Sequence, residues 1–515
     1  MIFSESISDL SDYNSKESKL ERHDLYNFET KLDYKFKKTS STKTSYLLEM
    51  FFFIPTPLQI NKNSYTKKQF FLDLNNRIRF KTPQISIKGL LDENNDLSPL
   101  NIIEEHLNSI EYGDISEKVT TRIERETRLL ACIVKATLRD QTSYIITNYS
   151  TIKNQYNLEK IIKNLLSTVK QFQEKMQQLR ERFLTVRTPT KLRETLTYAD
   201  EYMSLQIEDW FSQLFAKCGK VLNSKLQNRL IQIVEYEKKH RETLNSNVVV
   251  ERNTNNERFS YHEGIHKKFV QGVLYLDQKK KDPKSPSLQI LYSIAAGLAM
   301  FLSLFFSFLL LSNFGVNSVP FLIGAIVIYM LKDRIKDIIK NYSEKAVGLL
   351  FPDQRVDIID EFYQEQMGIG KEIVNFLEWE KVPSEILKIR RSSNISSIEE
   401  SGKPEVVLNY KQKIILLNQK IEETHTRKKD LSNIIRFNIK EFLRYADDPV
   451  DYKVDWNKET KNMDVLPISR VYHLNIVLRL TSFHKKEKVE EYFKKFRVIL
   501  DQQGIKRVEK PKIQF

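Results

Sequence analysis

Residues 288–331 read LQILYSIAAGLAMFLSLFFSFLLLSNFGVNSVPFLIGAIVIYML, and no charged residue interrupts the chain from Ser285 to Leu331. The first part, Leu288 to Leu311, reaches about 36 Å as a helix, enough to cross a hydrocarbon core about 30 Å thick. Asn313, Gly315, Asn317 and Pro320 then break the run. A second apolar stretch, Val316 to Leu331, is short but adequate for a slightly mismatched span. Two uninterrupted apolar segments side by side are rare in a soluble core, so the stretch reads as a two-helix membrane hairpin at 288–331. Ala295, Ala296, Gly297, Ala299, Gly324 and Ala325 allow close approach of two backbones, where no hydrophobic effect drives association. Neither span holds an ionisable residue, which argues against a proton relay, a carrier or a voltage sensor built by these helices.

The flanks orient the hairpin. Lys279, Lys280, Lys281 and Lys284 precede it; Lys332, Arg334, Lys336 and Lys340 follow it. An even number of spans with basic flanks places both ends in the cytoplasm. The expectation is a multi-pass protein of the cell membrane with two spans and both termini cytoplasmic. Its partners are then the lipid bilayer and its anionic headgroups. The start, MIFSESISDL, lacks a basic segment followed by an apolar one, so no cleavable signal peptide is expected.

The run from Ala295 to Asp337, preceded by KKFVQGVLYLD at 267–277, resembles the hairpin of uncharacterised bacterial two-span membrane proteins. Ala295-Ala296-Gly297, Phe314-Gly315 and Tyr329-Met330-Leu331-Lys332-Asp333-Arg334-Ile335-Lys336 carry the resemblance, which covers about residues 265–340. It implies a bacterial inner-membrane setting and brings no activity with it.

Working outward, 515 residues suggest two to four domains. With 41% hydrophobic and 29% charged residues, the chain can bury cores, which excludes global disorder. Only 13 Gly and 14 Pro favour long helices. The formal net charge of +15 fits an anionic membrane surface. No RNP-like aromatic motif, zinc-finger spacing or helix-turn-helix signature accompanies it, so no nucleic acid is expected. Cys132 and Cys218 lie in apolar helical patterns and read as buried thiols of a reducing compartment.

The fold class expected is mostly α with α+β soluble regions, a helical membrane hairpin and a long helical bundle or coiled coil. Four regions follow: 1–155, a cytoplasmic α+β region with a loosely ordered start; 156–287, a bundle or coiled-coil stalk; 288–331, the hairpin; and 332–515, a second cytoplasmic α+β region. In the first, Leu32, Tyr34 and Phe36 alternate as a strand, and Tyr46–Ile54 reads as a buried strand, the two forming a hairpin. Helices are expected near 64–77, 101–111 and 116–139. In the second, Leu158, Ile162, Leu165, Val169, Phe172, Met176, Leu179 and Phe183 make a heptad stripe ending at Thr188-Pro189. Helices near 190–217 and 219–244 follow. The stripe suits an antiparallel bundle within the chain, or a seam for a homo-oligomer or a protein partner. In the fourth, Tyr410, Ile414, Leu417, Ile421, Leu431, Ile435 and Phe442 read as a long helix over 405–445. A strand at 472–480, a helix at 485–501 and a last strand after Gly504 complete it.

One motif could carry chemistry. His262-Glu263-Gly264-Ile265-His266 matches H-E-x-x-H: two histidines on one helical face can bind zinc while the glutamate activates a water. Glu344, beyond the hairpin, is the candidate third ligand. Lys267 and Lys268 follow at once and repel a dication, and Gly264 weakens the helix. Both histidines are expected to be ordinary, partly exposed side chains beside the membrane surface. Gly368-Ile369-Gly370-Lys371 lacks the spacing of a phosphate loop and reads as a turn. Sequence alone therefore nominates no catalytic, cofactor-binding or metal residue and no cofactor. It points to a membrane-anchored, cytoplasm-facing interaction or scaffold protein. The alternatives are a zinc-dependent membrane metalloprotease using His262, His266, Glu344 and Glu263, and an oligomeric membrane effector or pore.

Overall fold

The computed structural model of the chain describes residues 20–34, 42–149, 155–244, 246–315, 318–392, 405–425, 427, 430–484 and 487–511. In chain order the elements are β1 (Leu20–Arg22), β2 (Asn27–Tyr34), β3 (Lys43–Pro55), α1 (Lys67–Asp73), β4 (Leu74–Phe80), α2 (Ile87–Leu91), α3 (Pro99–Glu111), α4 (Glu117–Asn148), α5 (Gln155–Thr185), α6 (Thr190–Cys218), α7 (Ser224–Thr243) and α8 (Glu257–Gly272). Then come β5 (Asp277–Lys281), α9 (Lys284–Asn313), α10 (Val319–Leu350), β6 (Gln354–Asp360), β7 (Glu365–Leu377), α11 (Ser384–Arg391), β8 (Glu405–Leu417) and α12 (Asn418–Thr424). The chain closes with β9 (Leu431–Asn438), β10 (Val450–Asn457), β11 (Asn462–Ser469), β12 (Tyr472–His484), β13 (Glu487–Asp501) and β14 (Gly504–Glu509). About half of the chain is helical and the strands are antiparallel, a mixed α and β architecture.

Strands from both ends of the sequence share the sheets. The eight-stranded sheet runs β14-β13-β12-β3-β8-β7-β6-β5, and a four-stranded sheet runs β1-β2-β9-β4. β3 lies between β12 and β8, so residues 43–55 pair only with residues beyond the hairpin. The sheets therefore join the expected 1–155 and 332–515 regions into one β structure. The expected hairpin of β2 with β3 is absent: β2 pairs with β9 and the two strands belong to different sheets.

Packing explains these choices. β3 is buried on both faces. Met50 and Phe52 face a core with Phe28 and Phe437 of the smaller sheet, with Phe52 and Phe437 ring centroids 5.2 Å apart. Phe51 and Phe53 face Ile386 and Ile389 of α11. A strand covered on both sides reads as a continuous apolar run, which is what Tyr46–Ile54 is.

Four segments differ from expectation. Residues 405–445 are not a long helix but β8, α12 and β9. β8 is buried on both faces over Val407–Tyr410, and its apolar residues Tyr410, Ile414 and Leu417 fall at spacings that mimic a helix. Residues 487–501 form β13, paired with β12 along its length, and not a helix. Gly368 and Gly370 sit inside β7, not in a turn; a Cβ on Gly368 would lie 2.7 Å from the Ile415 carbonyl oxygen. Near residues 64–77 the helix stops at Asp73 and the chain continues as β4.

The helices α3 to α8 share a second core. Every residue of the Leu158–Phe183 stripe is buried in it, beside Leu130 and Ile133 of α4, Tyr202 and Phe211 of α6, and Leu230 of α7. Cys132 and Cys218 are buried free thiols of the same core.

α9 and α10 stand apart from both cores and pack on each other. The pair is antiparallel: a Cβ on Gly324 would touch Leu310 at 2.7 Å, and Lys340 Nζ lies 5.0 Å from the Tyr292 ring centroid. Ala295 and Ala299 are buried, while Phe301, Phe305, Phe308, Leu322 and Ile326 are exposed. Among the described residues one helix, Leu288–Asn313, is long and apolar enough to cross a membrane, and 11% of it is buried. α10 is as long, but charged residues begin at Lys332. The pair is inserted between two bonded strands, because Lys281 of β5 is the register partner of Arg355 of β6.

Candidate functional site

The sequence nominated the histidine motif on α8. Its two histidines part company in the structure. His262 is half-buried beside the Tyr261 ring, with centroids 5.4 Å apart. His266 is 3% exposed; its Nε2 lies 2.9 Å from Glu201 Oε2 and its ring packs 5.2 Å from that of Tyr198. This corrects the expectation of two partly exposed histidines: α8 turns that face into the helical core. Among the described residues no three His, Cys, Asp or Glu side chains are grouped so as to hold a metal ion. Glu344 falls in α10, where the side chains of 343–350 lie outside the described residues.

Glu263 has a different neighbourhood. Its charge, after burial itself, helps raise the Asp209 carboxyl of α6 to about 7. Across from them, burial brings the Lys135 ammonium of α4 down to about 8, with Lys267 adding to the effect. Lys135 Nζ lies 3.0 Å from the Tyr202 hydroxyl. The group is a half-buried acid, a half-buried amine and a buried phenol beside the helical core, each shifted toward its neutral form.

A larger cluster joins the helices to the sheets, and no sequence motif announced it. α4 places Arg122, Arg125 and Glu126 on one face. Glu126 is fully buried, and three guanidiniums surround it: Arg122 at 3.5 Å, Arg125 at 3.0 Å and Arg427 at 2.8 Å. Arg125 Nη2 also lies 2.9 Å from His425 Nδ1, and His425 Nε2 lies 2.9 Å from Asp360 Oδ2. An arginine only donates, so Nδ1 accepts and Nε2 carries the proton donated to Asp360. His425 is thus a neutral imidazole, in keeping with a pKa lowered by burial and then by the Arg125 charge. Burial alone would raise Asp360, but the bond donated by His425 and the charge of Arg125 hold its carboxyl below the usual range. Arg122 donates to the Tyr363 hydroxyl at 2.6 Å, and Arg128 lies 3.8 Å above the Phe269 ring.

A cavity of about 20 Å³ opens among Arg125, His425, Arg427, Lys81, Phe80 and Leu129. That is room for about one water molecule. Arg427 donates from Nε to the Leu97 carbonyl, while its Nη2 is buried without a partner beside the cavity. His425 is locked between Arg125 and Asp360, with both ring nitrogens engaged. The chemistry of this cluster is that of an ionic clasp between α4, the β6–β7 turn and the segment after α12.

A third feature is a protruding two-stranded ribbon, β10 paired with β11. Tyr452, Val454 and Trp456 lie on one face of β10, opposite Pro467, Val465 and Met463. Tyr452, Val454, Trp456, Met463 and Val465 are all exposed. A contiguous exposed apolar face of this kind marks an interaction surface more often than a neutral one.

No family model, curated protein or solved structure matches the chain. The resemblance of residues 265–340 to bacterial two-span membrane proteins gains nothing from these comparisons.

Proposed function

We propose that the chain is a membrane-anchored, cytoplasm-facing interaction or scaffold protein, held to the bilayer by α9 and α10. One observation carries the reading: an uncharged, outwardly apolar helix tip on a pair inserted between hydrogen-bonded strands. Exposed side chains such as Phe301 and Phe308 are unfavourable in water by about 25 cal/mol per Å² of apolar surface, and at home in lipid. Since Lys281 and Arg355 are strand partners and β3 pairs only with later strands, both flanks of the hairpin must lie on one face of the membrane. Lys332, Arg334 and Lys336 favour the cytoplasmic face.

The scaffold part rests on two further features. Burial of the α5 stripe against its own neighbours supports α3 to α8 packing as a bundle within the chain. The exposed apolar ribbon β10–β11 is left to meet a protein partner. Washing membranes from expressing cells with alkaline carbonate tests the anchor. Retention of the full-length chain in the pellet is expected; release into the supernatant would refute membrane insertion.

A further inference from the structure

The way α9 and α10 are paired bears on how deep they go. Counting equal steps from the Leu310–Gly324 contact sets Lys332 level with Leu302; counting from the Tyr292–Lys340 contact sets it level with Met300. The pair is therefore free of charge only from about Leu302 to the tip, and back from Val319 to Leu331. Thirteen helical residues reach about 20 Å. A hydrocarbon core is about 30 Å thick. If α9 crossed fully, Lys332, Asp333, Arg334, Lys336 and Asp337 would all be drawn below the headgroups, where ionisable side chains are rare and need partners. Four of these five are exposed on the pair, and the fifth, Lys332, lies over the Tyr329 ring.

Below the charged level the tip is built for lipid. Asn313 donates from Nδ2 to the Leu309 carbonyl at 2.8 Å, and the Ser312 hydroxyl donates to the same oxygen at 2.8 Å. The Phe314 amide donates to Leu310, and the Phe321 amide to Ser318 Oγ. The described tip residues carry no charge, and the Ser312, Asn313 and Ser318 side chains and the Phe314 and Phe321 amides find partners within the hairpin. Above that level the pair has two unlike sides. Ile290, Ile294, Leu298 and Phe301 are exposed on α9, while Asp333, Arg334, Lys336 and Lys340 are exposed on α10. Such a cross-section suits a pair lying obliquely, with α9 against lipid and α10 toward water and headgroups.

We infer that the hairpin is re-entrant: it dips into the bilayer from the cytoplasmic side, and its tip ends inside the hydrocarbon without emerging on the far face. This replaces two complete spans with a monotopic anchor, and it rests on the anchor reading above. Its partner is the lipid of one leaflet.

The test is cysteine labelling in the full chain with a membrane-impermeant maleimide, on sealed vesicles of both orientations. The native thiols Cys132 and Cys218 are buried, so background is low. The variants are Asn313→Cys at the tip and Lys336→Cys on the charged side. A re-entrant hairpin gives Lys336→Cys labelled from one face only, and Asn313→Cys labelled from neither face until detergent is added. Labelling of Asn313→Cys from the face opposite to Lys336→Cys would overturn the inference and establish two full spans, with the anchor intact. Labelling of both variants from the same face would place the hairpin outside the bilayer, and the anchor reading would fall with the inference.

Discussion

Glu126 is the residue on which the junction between helices and sheets turns. It is fully buried and faces Arg122, Arg125 and Arg427. Removing one partner from a buried ionic group leaves uncompensated charge, at a cost of about 3–5 kcal/mol. Glu126→Gln is therefore expected to lower the unfolding free energy by about 3 kcal/mol in chemical denaturation. Lys191→Ala, which cuts an exposed lysine from Glu124, should change it by about 0.5 kcal/mol or less. Equal effects would remove the clasp from the account. Asp209 supplies a pH signature. Its carboxyl titrates near 7 in the folded protein against an ordinary 3.8, chiefly because of burial. Between those values the folded state holds the proton more tightly than the unfolded chain, so stability falls as pH rises from about 4 to 7. Asp209→Asn lacks that loss. Its advantage over the natural protein should grow across this window by about 2 kcal/mol, after discounting for partial exposure. An advantage that shrinks with pH would contradict the sign.

Among the elements, α5 offers the sharpest contrast between surface and seam. Leu165 is 7% exposed within the helical core. Leu165→Asp buries an unpaired charge and is expected to destabilise by several kcal/mol, on the order of 3–5, read as loss of helical circular dichroism at lower temperature. Wild-type melting would mean the stripe is not a core. This helix and β3 were legible in the sequence because each has a periodicity or an unbroken run that one element type explains. β8 and β13 were not. β8 is covered on both faces at Val407–Tyr410, and its apolar residues beyond fall at helix-like spacings. β13 opens with EKVEEYFKK, a helix-like mixture that becomes a strand because β12 offers a full ladder beside it. The clasp could not be read at all. Arg125, Asp360 and Arg427 come from three distant segments, and no spacing links them. The one local hint was the presence of charged residues on otherwise core-facing turns of α4 and α6, such as Glu126 and Asp200-Glu201. The H-E-x-x-H match pointed the other way: its second histidine serves as a buried partner for Glu201.

For the molecule as a whole, the decisive relation is that residues before and after the hairpin form common sheets, while the hairpin leaves and re-enters at one strand pair. On the proposed anchor reading, membrane attachment and folding of the rest are then separable. This can be measured by replacing residues 283–352 with Asn-Gly. Asp282 and Asp353 are kept, so a five-residue turn joins Lys281 to Arg355. The account predicts a water-soluble protein that no longer sediments with membranes, with the circular dichroism of a cooperatively folded mixed α and β domain. A shortened chain that keeps that folded signature yet still pellets with carbonate-washed membranes would contradict it.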